Sequence, residues 1–255
     1  MRLLVRHLFR TGNHLRTPTT QSANAGRSGG IFLLVFVVWV SSACGQSALP
    51  VVDGVDVRGL RVQCQQVLDA LSKMKAAPPP ETERELRALL KDETKASDET
   101  AAKIQKLLND QCLVGVSINP ESRVKAARGP RSAKLVVGKE SVFLIRVLNE
   151  AGVTHPLSVQ SPQMRAPGES TKESWLEASV CSTPLSSSRP DKKEVRAEQK
   201  EEKLSGQKVE YLLLRLKAHQ AGKREATLVF DVGQGTQDLG FRAEVPILFT
   251  ITQSQ

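Results

Sequence analysis

The sequence predicts a mainly β protein, an immunoglobulin-like antiparallel β-sandwich preceded by a segment of two to three helices. Three patterns predict this class. Apolar and polar residues alternate near the C-terminus. Short strand-like segments follow one another at intervals of about 8–12 residues over residues 112–253. Apolar residues recur at helical spacing over residues 55–111.

The clearest alternation lies in residues 224–252, which we interpret as two strands joined by a Gly-rich connection. A period of two over this length indicates half-buried antiparallel strands. Pro246 falls on the outward face and cannot donate a main-chain hydrogen bond, so we expect the last strand to lie at an edge or to bulge there. The inward positions of both strands are apolar: Ala226, Leu228, Phe230, Val232, Phe241, Ala243, Val245, Ile247, Phe249 and Ile251.

The rest of the sandwich is expected from shorter strands. Residues 141–149 are apolar on both faces, which predicts a central strand. Residues 182–207 are polar and highly charged, which predicts a flexible surface loop because they offer little apolar area for burial. The other strands are predicted at residues 112–118, 122–127, 133–137, 157–161, 175–180 and 209–217.

The helical segment, residues 55–111, follows a linker at residues 44–54. Its first helix has an apolar face from Leu60 to Met74 and ends before the three prolines at 78–80. A second helix opens with acidic residues, which favour the positive end of a helix dipole. Ser97 is expected to cap the third helix.

The N-terminal residues 1–43 are interpreted as an export signal. They hold five of the 36 basic residues and none of the 27 acidic ones, so most of the net charge of +9 belongs to this leader rather than to a nucleic-acid-binding face. Residues 31–40 form an apolar run that fits a secretory signal and falls short of the roughly 20 residues that span a membrane. A short buried strand or a transmembrane anchor remains an alternative.

Cys44 is the predicted lipidation site. Residues 42–45 resemble the end of a bacterial lipobox, in which the Cys becomes the first mature residue and carries lipid. Ser41 stands where that pattern usually has Leu, so ordinary cleavage after Ala43 stays open. We therefore expect a periplasmic or envelope protein, held at the membrane if Cys44 is lipidated.

Cys64 and Cys112 bracket the helices and are the predicted disulfide pair in an oxidising compartment. Closing their loop of about 48 residues would stabilise the protein by about 4 kcal/mol. Cys181 is then unpaired, or paired with Cys44 if that residue carries no lipid. No CxxC motif and no neighbouring His accompany these cysteines, so no metal site is predicted.

Several residues have the chemistry of a site but are better explained as structural. The Gly-rich residues 233–236 lack the lysine and following helix of a phosphate loop. Asp231 and Asp238 would make a weak calcium cage. His155 and His219 lie in a turn and at a strand end, without a GxSxG motif that would assemble a catalytic triad. No catalytic residue and no cofactor are therefore predicted.

Trp175 is the best single candidate for a contact residue, for example to a sugar, although a place in the core is the stronger expectation. A local group of basic residues could contact anionic lipid or wall polymer, with a solvated strand face as the default. That group consists of Arg123, Lys125, Arg128, Arg131 and Lys134.

Four segments resemble the β region of a family of secreted planctomycete proteins. They are residues 118–125, 149–154, 222–226 and 231–242. In the longer members of that family this region precedes a metal-dependent hydrolase domain of the PHP type. The resemblance covers about residues 112–250 and implies an accessory module, because the sequence ends where the hydrolase would start. It transfers no catalytic residue.

The sequence thus predicts a non-enzymatic, exported, lipid-anchored β-sandwich protein that acts as a binding or accessory module at the cell envelope. The expected partner is an envelope protein or a surface polymer, with no nucleic acid. Membrane contact is expected through the lipid on Cys44, and none if the chain is simply cleaved. The alternative is an accessory subunit or detached N-terminal domain of a secreted metal-dependent hydrolase. A third reading, carbohydrate binding alone, would depend on Trp175.

Overall fold

The computed structural model describes residues 48–91, 97–164, 174–181, 203–233 and 239–254. Three helices come first in this part of the chain, and nine strands follow. The helices are α1 (Val57–Lys73), α2 (Pro80–Lys91) and α3 (Asp98–Asn109). The strands are β1 (Cys112–Ile118), β2 (Val124–Arg128), β3 (Lys134–Val136), β4 (Glu140–Asn149), β5 (Ser158–Gln160), β6 (Leu176–Cys181), β7 (Val209–Ala218), β8 (Gly222–Asp231) and β9 (Arg242–Thr252).

The strands form two sheets, which confirms the predicted β-sandwich. Sheet A has the order β2-β1-β4-β7-β6, and sheet B has the order β3-β9-β8-β5. Most neighbouring strands are antiparallel, but β1 pairs with β4 and β3 pairs with β9 in parallel. Each sheet therefore contains one parallel pair within an otherwise antiparallel arrangement.

The larger core fills the space between the sheets. Strand β4 lies at the centre of sheet A, as its apolar sequence predicted, and turns Phe143, Ile145 and Val147 into this core. Strand β8 supplies alternate residues from the other side, including the fully buried Phe230. The period of two therefore identified the inward face of sheet B correctly.

The three helices share a second core with the outer face of sheet A. Leu60 and Leu68 of α1 pack in it with Tyr211 and Leu213 of β7. Sheet A is consequently buried on both faces, which explains why β7 is buried along most of its length and carries apolar residues on both faces.

Local capping stabilises the starts of the helices, and the cap at Ser97 is the one that the sequence predicted. The Ser97 hydroxyl accepts a hydrogen bond from the Thr100 amide at 3.3 Å, so this residue caps α3 as expected. Asp56 caps α1 through two such bonds. Helix α2 begins at Pro80, whose missing N–H is not needed in the first turn.

The segment interpreted as a linker is packed from residue 48 onward. Gln105 exchanges two hydrogen bonds with the main chain of Val52, at 2.9 and 3.1 Å. Leu49 lies so close to Gly115 of β1 that a methyl group there would come within 2.5 Å of Leu49 Cδ2. Residues 49–52, which we call the N-terminal strap, therefore connect α3 with sheet A.

Two local predictions need refinement. By strand order β9 is internal to sheet B, but at Pro246 it pairs with Thr227 of β8 alone, since β3 reaches only residues 250–252. Among the described strands β9 is therefore at a local edge at Pro246, where the absent N–H is tolerated, and its pairing with β8 shows no bulge there. Most of the predicted charged loop lies outside the described residues, but its last part is ordered, because Leu204 is buried in the sandwich core.

The predicted disulfide between Cys64 and Cys112 is not formed in the structure, where both residues are buried free thiols. The Cys112 thiol instead donates to the main-chain oxygen of Leu108 at 3.2 Å. Cys64 belongs to the apolar face of α1. Both side chains act here as small apolar groups in the helical core.

Candidate functional site

The outer face of sheet B is the sheet surface that the described helices leave uncovered. Because the inward residues of β8 and β9 alternate with outward ones, the register places Glu225 opposite Leu248 and Thr227 opposite Pro246. The outward side chains of the two strands are exposed or half-buried. They are Lys223, Glu225, Thr227, Val229, Asp231, Arg242, Glu244, Pro246, Leu248, Thr250 and Thr252.

This face combines apolar and charged groups. Leu248 is 61% exposed, the largest exposed fraction among the large apolar side chains of the described residues. It follows Pro246 at the next outward position of β9, while Glu225 and Glu244 place carboxylates on either side of this apolar pair. Such a mixture is typical of protein contact surfaces, which are little more apolar than the surface as a whole.

One end of the face is hollow. A depression of about 630 Å³ is lined by Gln160, Ser161, Pro162, Val229, Arg242 and Glu244. The Arg242 guanidinium is held over it by Asp231, with Nε 2.7 Å from Oδ2. The Arg242 guanidinium is therefore held in place by a carboxylate of the neighbouring strand β8.

Where β5 no longer pairs with β8, a side chain provides the hydrogen bond to the β8 main chain. Strand β5 pairs only with residues 229–231 of β8. Two residues farther back on β8, the Thr227 amide donates to Gln163 Oε1 at 3.1 Å. Gln163 is itself positioned by a 2.9 Å hydrogen bond from Ser161. This contact satisfies a main-chain donor at the margin of the uncovered face.

Of the residues considered for calcium and phosphate, the structure describes Asp231 and Gly233. Both carboxylate oxygens of Asp231 are engaged, one by Arg242 and the other by the Gly233 amide at 2.8 Å. Asp238 and residues 234–236 lie outside the described residues. Among the residues that are described, no group of three His, Cys, Asp or Glu side chains could hold a metal ion.

Trp175 is buried, whereas His155 is exposed and His219, whose amide donates to the main-chain oxygen of Trp175 at 2.8 Å, is half-buried. Trp175 is 3% exposed and stacks edge-on against Phe249, with ring centroids 5.9 Å apart. It is a core residue rather than a contact residue. His219 lies 2.6 Å from a carboxylate oxygen of Glu177, and the main chain of exposed His155 accepts from Leu204.

The predicted basic group is divided among several roles. Arg128 donates to the main-chain oxygens of Leu113 and Gly129 at 2.7 and 2.6 Å, and also to that of Arg131. Arg131 donates to Gln111 at 2.9 Å. Two arginines therefore fasten the turn between β2 and β3. Lys125 of β2 and Lys134 of β3 are exposed but belong to different sheets.

A second depression lies between α2 and α3. It has a volume of about 540 Å³ and is mostly apolar. Lys103 and Lys106 stand on one side of it and Glu85 on the other. The helical periodicity predicted both helices, but it did not predict that their apolar faces would leave this gap.

Sequence reasoning missed a buried polar group between α3 and sheet A. Tyr211 is fully buried, and its hydroxyl donates to Asn109 Oδ1 at 2.9 Å. Arg146 of β4 is 2% exposed beside it. Burial raises the pKa of Tyr211 well above its usual value and lowers the pKa of Arg146. The sequence feature that could have indicated this group is Arg146, a charged residue within the apolar run of β4.

Within the stretches that the structure describes, no helix combines the length and the apolar composition that crossing a membrane requires. Cys44 and residues 31–40, on which the predictions of lipidation and export depend, lie outside these stretches.

The comparisons with known proteins give only distant likenesses. No protein-family profile matches the sequence, and no curated protein is significantly similar to it. Domains 4 and 5 of the S-layer protein SbsC align with 48% of this chain and 47% of that chain, at 11% identity and a TM-score of 0.25. A structure of SbsC domains 1–6 aligns with 49% of this chain and 12% of that chain, at 13% identity and a TM-score of 0.24.

A third structure, PbICP-C in complex with falcipain-2, aligns with 48% of this chain and 86% of that chain, at 13% identity and a TM-score of 0.23. The chain spans less than half of either SbsC chain. At these TM-scores the alignments support no inference about function.

Proposed function

We propose that the protein is a non-enzymatic binding module that acts after export and that contacts a partner protein through the outer face of sheet B. The observation that carries the proposal is the difference between the two sheets. Sheet A is covered by three helices, whereas the outward side chains of β8 and β9 remain exposed or half-buried. An uncovered sheet face with a prominent Leu248 suits a protein contact.

A protein partner fits this face better than a sugar polymer. Carbohydrate platforms depend on exposed aromatic rings, and the outward positions of β8 and β9 carry none. Trp175, the candidate for a sugar contact, is buried in the core against Phe249. The alternation of Glu225, Arg242 and Glu244 around an apolar centre would instead orient a protein partner through complementary charge.

The accessory role beside a secreted metal-dependent hydrolase is the second candidate. Two segments resemble the planctomycete family here: residues 222–226 lie at one end of the β8–β9 pair, and Asp231 and Arg242, which bound the segment 231–242, lie at the other end. A hydrolase bound to this face would be a particular case of the proposed contact. The module would then position the enzyme or its substrate and contribute no catalytic group.

The proposed location rests on the leader. Residues 31–40 would direct export, and a lipid on Cys44 would hold the protein at the membrane. Mass spectrometry of the protein from its native membrane fraction tests this directly. A mature chain that begins at Cys44 and carries lipid supports anchoring. An unmodified chain that begins at Cys44 supports a released protein, and an uncleaved leader contradicts both.

The contact itself is tested with Leu248→Asp and a matched control, Val62→Asp. Val62 of α1 is 59% exposed, almost as much as Leu248, but belongs to the helical layer. Both substitutions should leave the circular dichroism spectrum unchanged. In a capture experiment with an envelope extract, the Leu248→Asp protein should lose a partner that the native and Val62→Asp proteins retain. Equal capture by all three contradicts the proposed surface.

The same capture experiment separates the two candidate functions. If the partner is a metal-dependent hydrolase, the captured fraction should hydrolyse phosphoester or related substrates until a chelator is added. A captured partner without such activity supports the binding module alone.

A further inference from the structure

The middle of β4 contains a buried cation, Arg146, to which no carboxylate of the described residues is bound. Arg146 is 2% exposed in the helical core on the outer face of sheet A. Its Nε and Nη2 atoms are both inaccessible to solvent and have no hydrogen-bond partner among the described residues. These two nitrogens lie on the same edge of the guanidinium, the edge that binds anions through two parallel hydrogen bonds.

The two acidic groups that interact with this guanidinium are neutral. They are Tyr211 and Cys112, and their interactions with Arg146, including a side-chain hydrogen bond with Tyr211, oppose the lowering of its pKa by burial. Burial raises the pKa of both the tyrosine hydroxyl and the cysteine thiol. Neither group therefore supplies a negative charge at neutral pH.

The neighbouring carboxylate is engaged elsewhere. Glu210 follows Val209 on β7, and it accepts hydrogen bonds from the Ser205 and Gly206 amides at 2.8 and 3.1 Å. Consecutive residues of a strand point to opposite faces, so Glu210 and Tyr211 lie on different sides of sheet A. Arg146 shares the side of Tyr211, and the carboxylate of Glu210 is turned away from it.

A guanidinium does not lose its proton in a protein, so burial cannot neutralise Arg146. An ionised group that is buried without a partner is strongly destabilising, and buried charges are therefore paired. The described residues supply no compensating charge, so an external anion bound at this edge would remove a large energetic cost.

We propose that the edge formed by Arg146 Nε and Nη2 binds a small inorganic monoanion between β4 and the helices. Because Arg146 is buried beneath the helical layer, we expect a small occupant such as chloride. The Tyr211 hydroxyl and the Cys112 thiol belong to the same core but donate to Asn109 and Leu108, so the hydrogen bonds to the anion would come from Arg146. The site is structural and independent of the outer face of sheet B.

The first test compares thermal unfolding in sodium chloride and in sodium gluconate at constant ionic strength, because gluconate is too large to enter. A ligand that binds the folded state at 100 times its dissociation constant lowers the unfolding equilibrium constant about 100-fold. The native protein should therefore be stabilised by chloride along a saturating curve. Arg146→Met should remove this dependence.

Arg215→Met is the matched control. Arg215 belongs to the neighbouring strand β7 and is paired with Glu140 at 2.5 Å. Its substitution should leave the chloride dependence intact. The proposal is overturned if the native protein responds equally to both salts, or if Arg146→Met retains the response.

A second measurement does not depend on the stability of any variant. Crystals of the native protein soaked in bromide should show an anomalous peak within hydrogen-bond distance of Arg146 Nε and Nη2. Density for water alone at that position, or an empty edge, overturns the proposal. An ionised Cys112, visible as thiolate absorbance in the native protein, would overturn it as well by supplying the charge from the chain.

Discussion

The hydroxyl of Tyr211 on β7 donates a 2.9 Å hydrogen bond to Oδ1 of Asn109 at the end of α3. The amide group of Asn109 in turn donates to the main-chain oxygen of Leu49 at 3.2 Å. A chain of two buried hydrogen bonds thus connects sheet A, the last helix and the N-terminal strap. The helical layer is fixed to the sandwich by polar contacts as well as by apolar packing.

Removal of the tyrosine hydroxyl should loosen this connection. Tyr211→Phe leaves Asn109 with an unpaired buried acceptor, so we expect the free energy of unfolding to fall by about 1–3 kcal/mol. Urea unfolding followed by circular dichroism measures the change. In a double-mutant cycle with Asn109→Ala, the two substitutions should be less costly together than the sum of the single effects. Additive effects would show that the bond contributes nothing.

The buried position of Trp175 predicts a stability defect rather than a binding defect. Trp175→Ala should lower the free energy of unfolding by about 3–5 kcal/mol, because it leaves a cavity against Phe249. Leu248→Ala, on the exposed face, should change it by no more than about 0.5 kcal/mol. Denaturant titration of both variants checks this contrast. Equal stability of the two proteins would contradict the assignment of Trp175 to the core.

The cysteines should differ in reactivity. Burial raises the pKa of Cys64 to about 12 and also raises that of Cys112, so neither thiol should form the reactive thiolate at pH 8. Half-buried Cys181 should be alkylated first in the folded protein. Alkylation with iodoacetamide, with and without urea, followed by peptide mass spectrometry, measures the order. A peptide pair linked through Cys64 and Cys112 in the unreduced protein would restore the disulfide predicted from sequence.

Glu210 should make stability depend on pH. Burial raises its pKa above the ordinary value of 4.5, so the folded protein holds this proton more tightly than the unfolded chain does. The resulting stabilisation is complete below pH 4.5 and is lost as the pH rises through the raised pKa. The slope from one such group is at most about 1.4 kcal/mol per pH unit.

Glu210→Gln should flatten this slope, even though it also weakens the contacts to Ser205 and Gly206 and lowers stability at every pH. Glu150→Gln serves as the control, since Glu150 is exposed at the end of β4. Unfolding curves between pH 4 and pH 8 give the slopes. An unchanged slope in Glu210→Gln would mean that this carboxyl does not titrate with folding.

Local sequence patterns were sufficient for most elements. The strand predicted at residues 112–118 has the same limits in the structure, and Ser97 caps α3 as its position suggested. Both features depend on residues within a few positions of one another. The same holds for the alternation in β8 and β9, which predicted the inward face of sheet B.

Contacts between distant segments could not be predicted in this way. The parallel pairing of β1 with β4 joins strands that each have an ordinary local pattern. The strap around Leu49 has too few apolar residues for a periodic signal, and its packing depends on the missing side chain of Gly115. Arg146 was overlooked because the residues around it are apolar on both faces of β4.

The uncovered face of sheet B is tested most directly by labelling its carboxylates with and without the envelope extract. Glu225 and Glu244 are exposed on this face, and Glu81 is exposed at the start of α2. Carbodiimide labelling followed by mass spectrometry reports each of them separately. The account predicts that the extract protects Glu225 and Glu244 and leaves Glu81 reactive. Protection of Glu81 alone, or of none of the three, would contradict it.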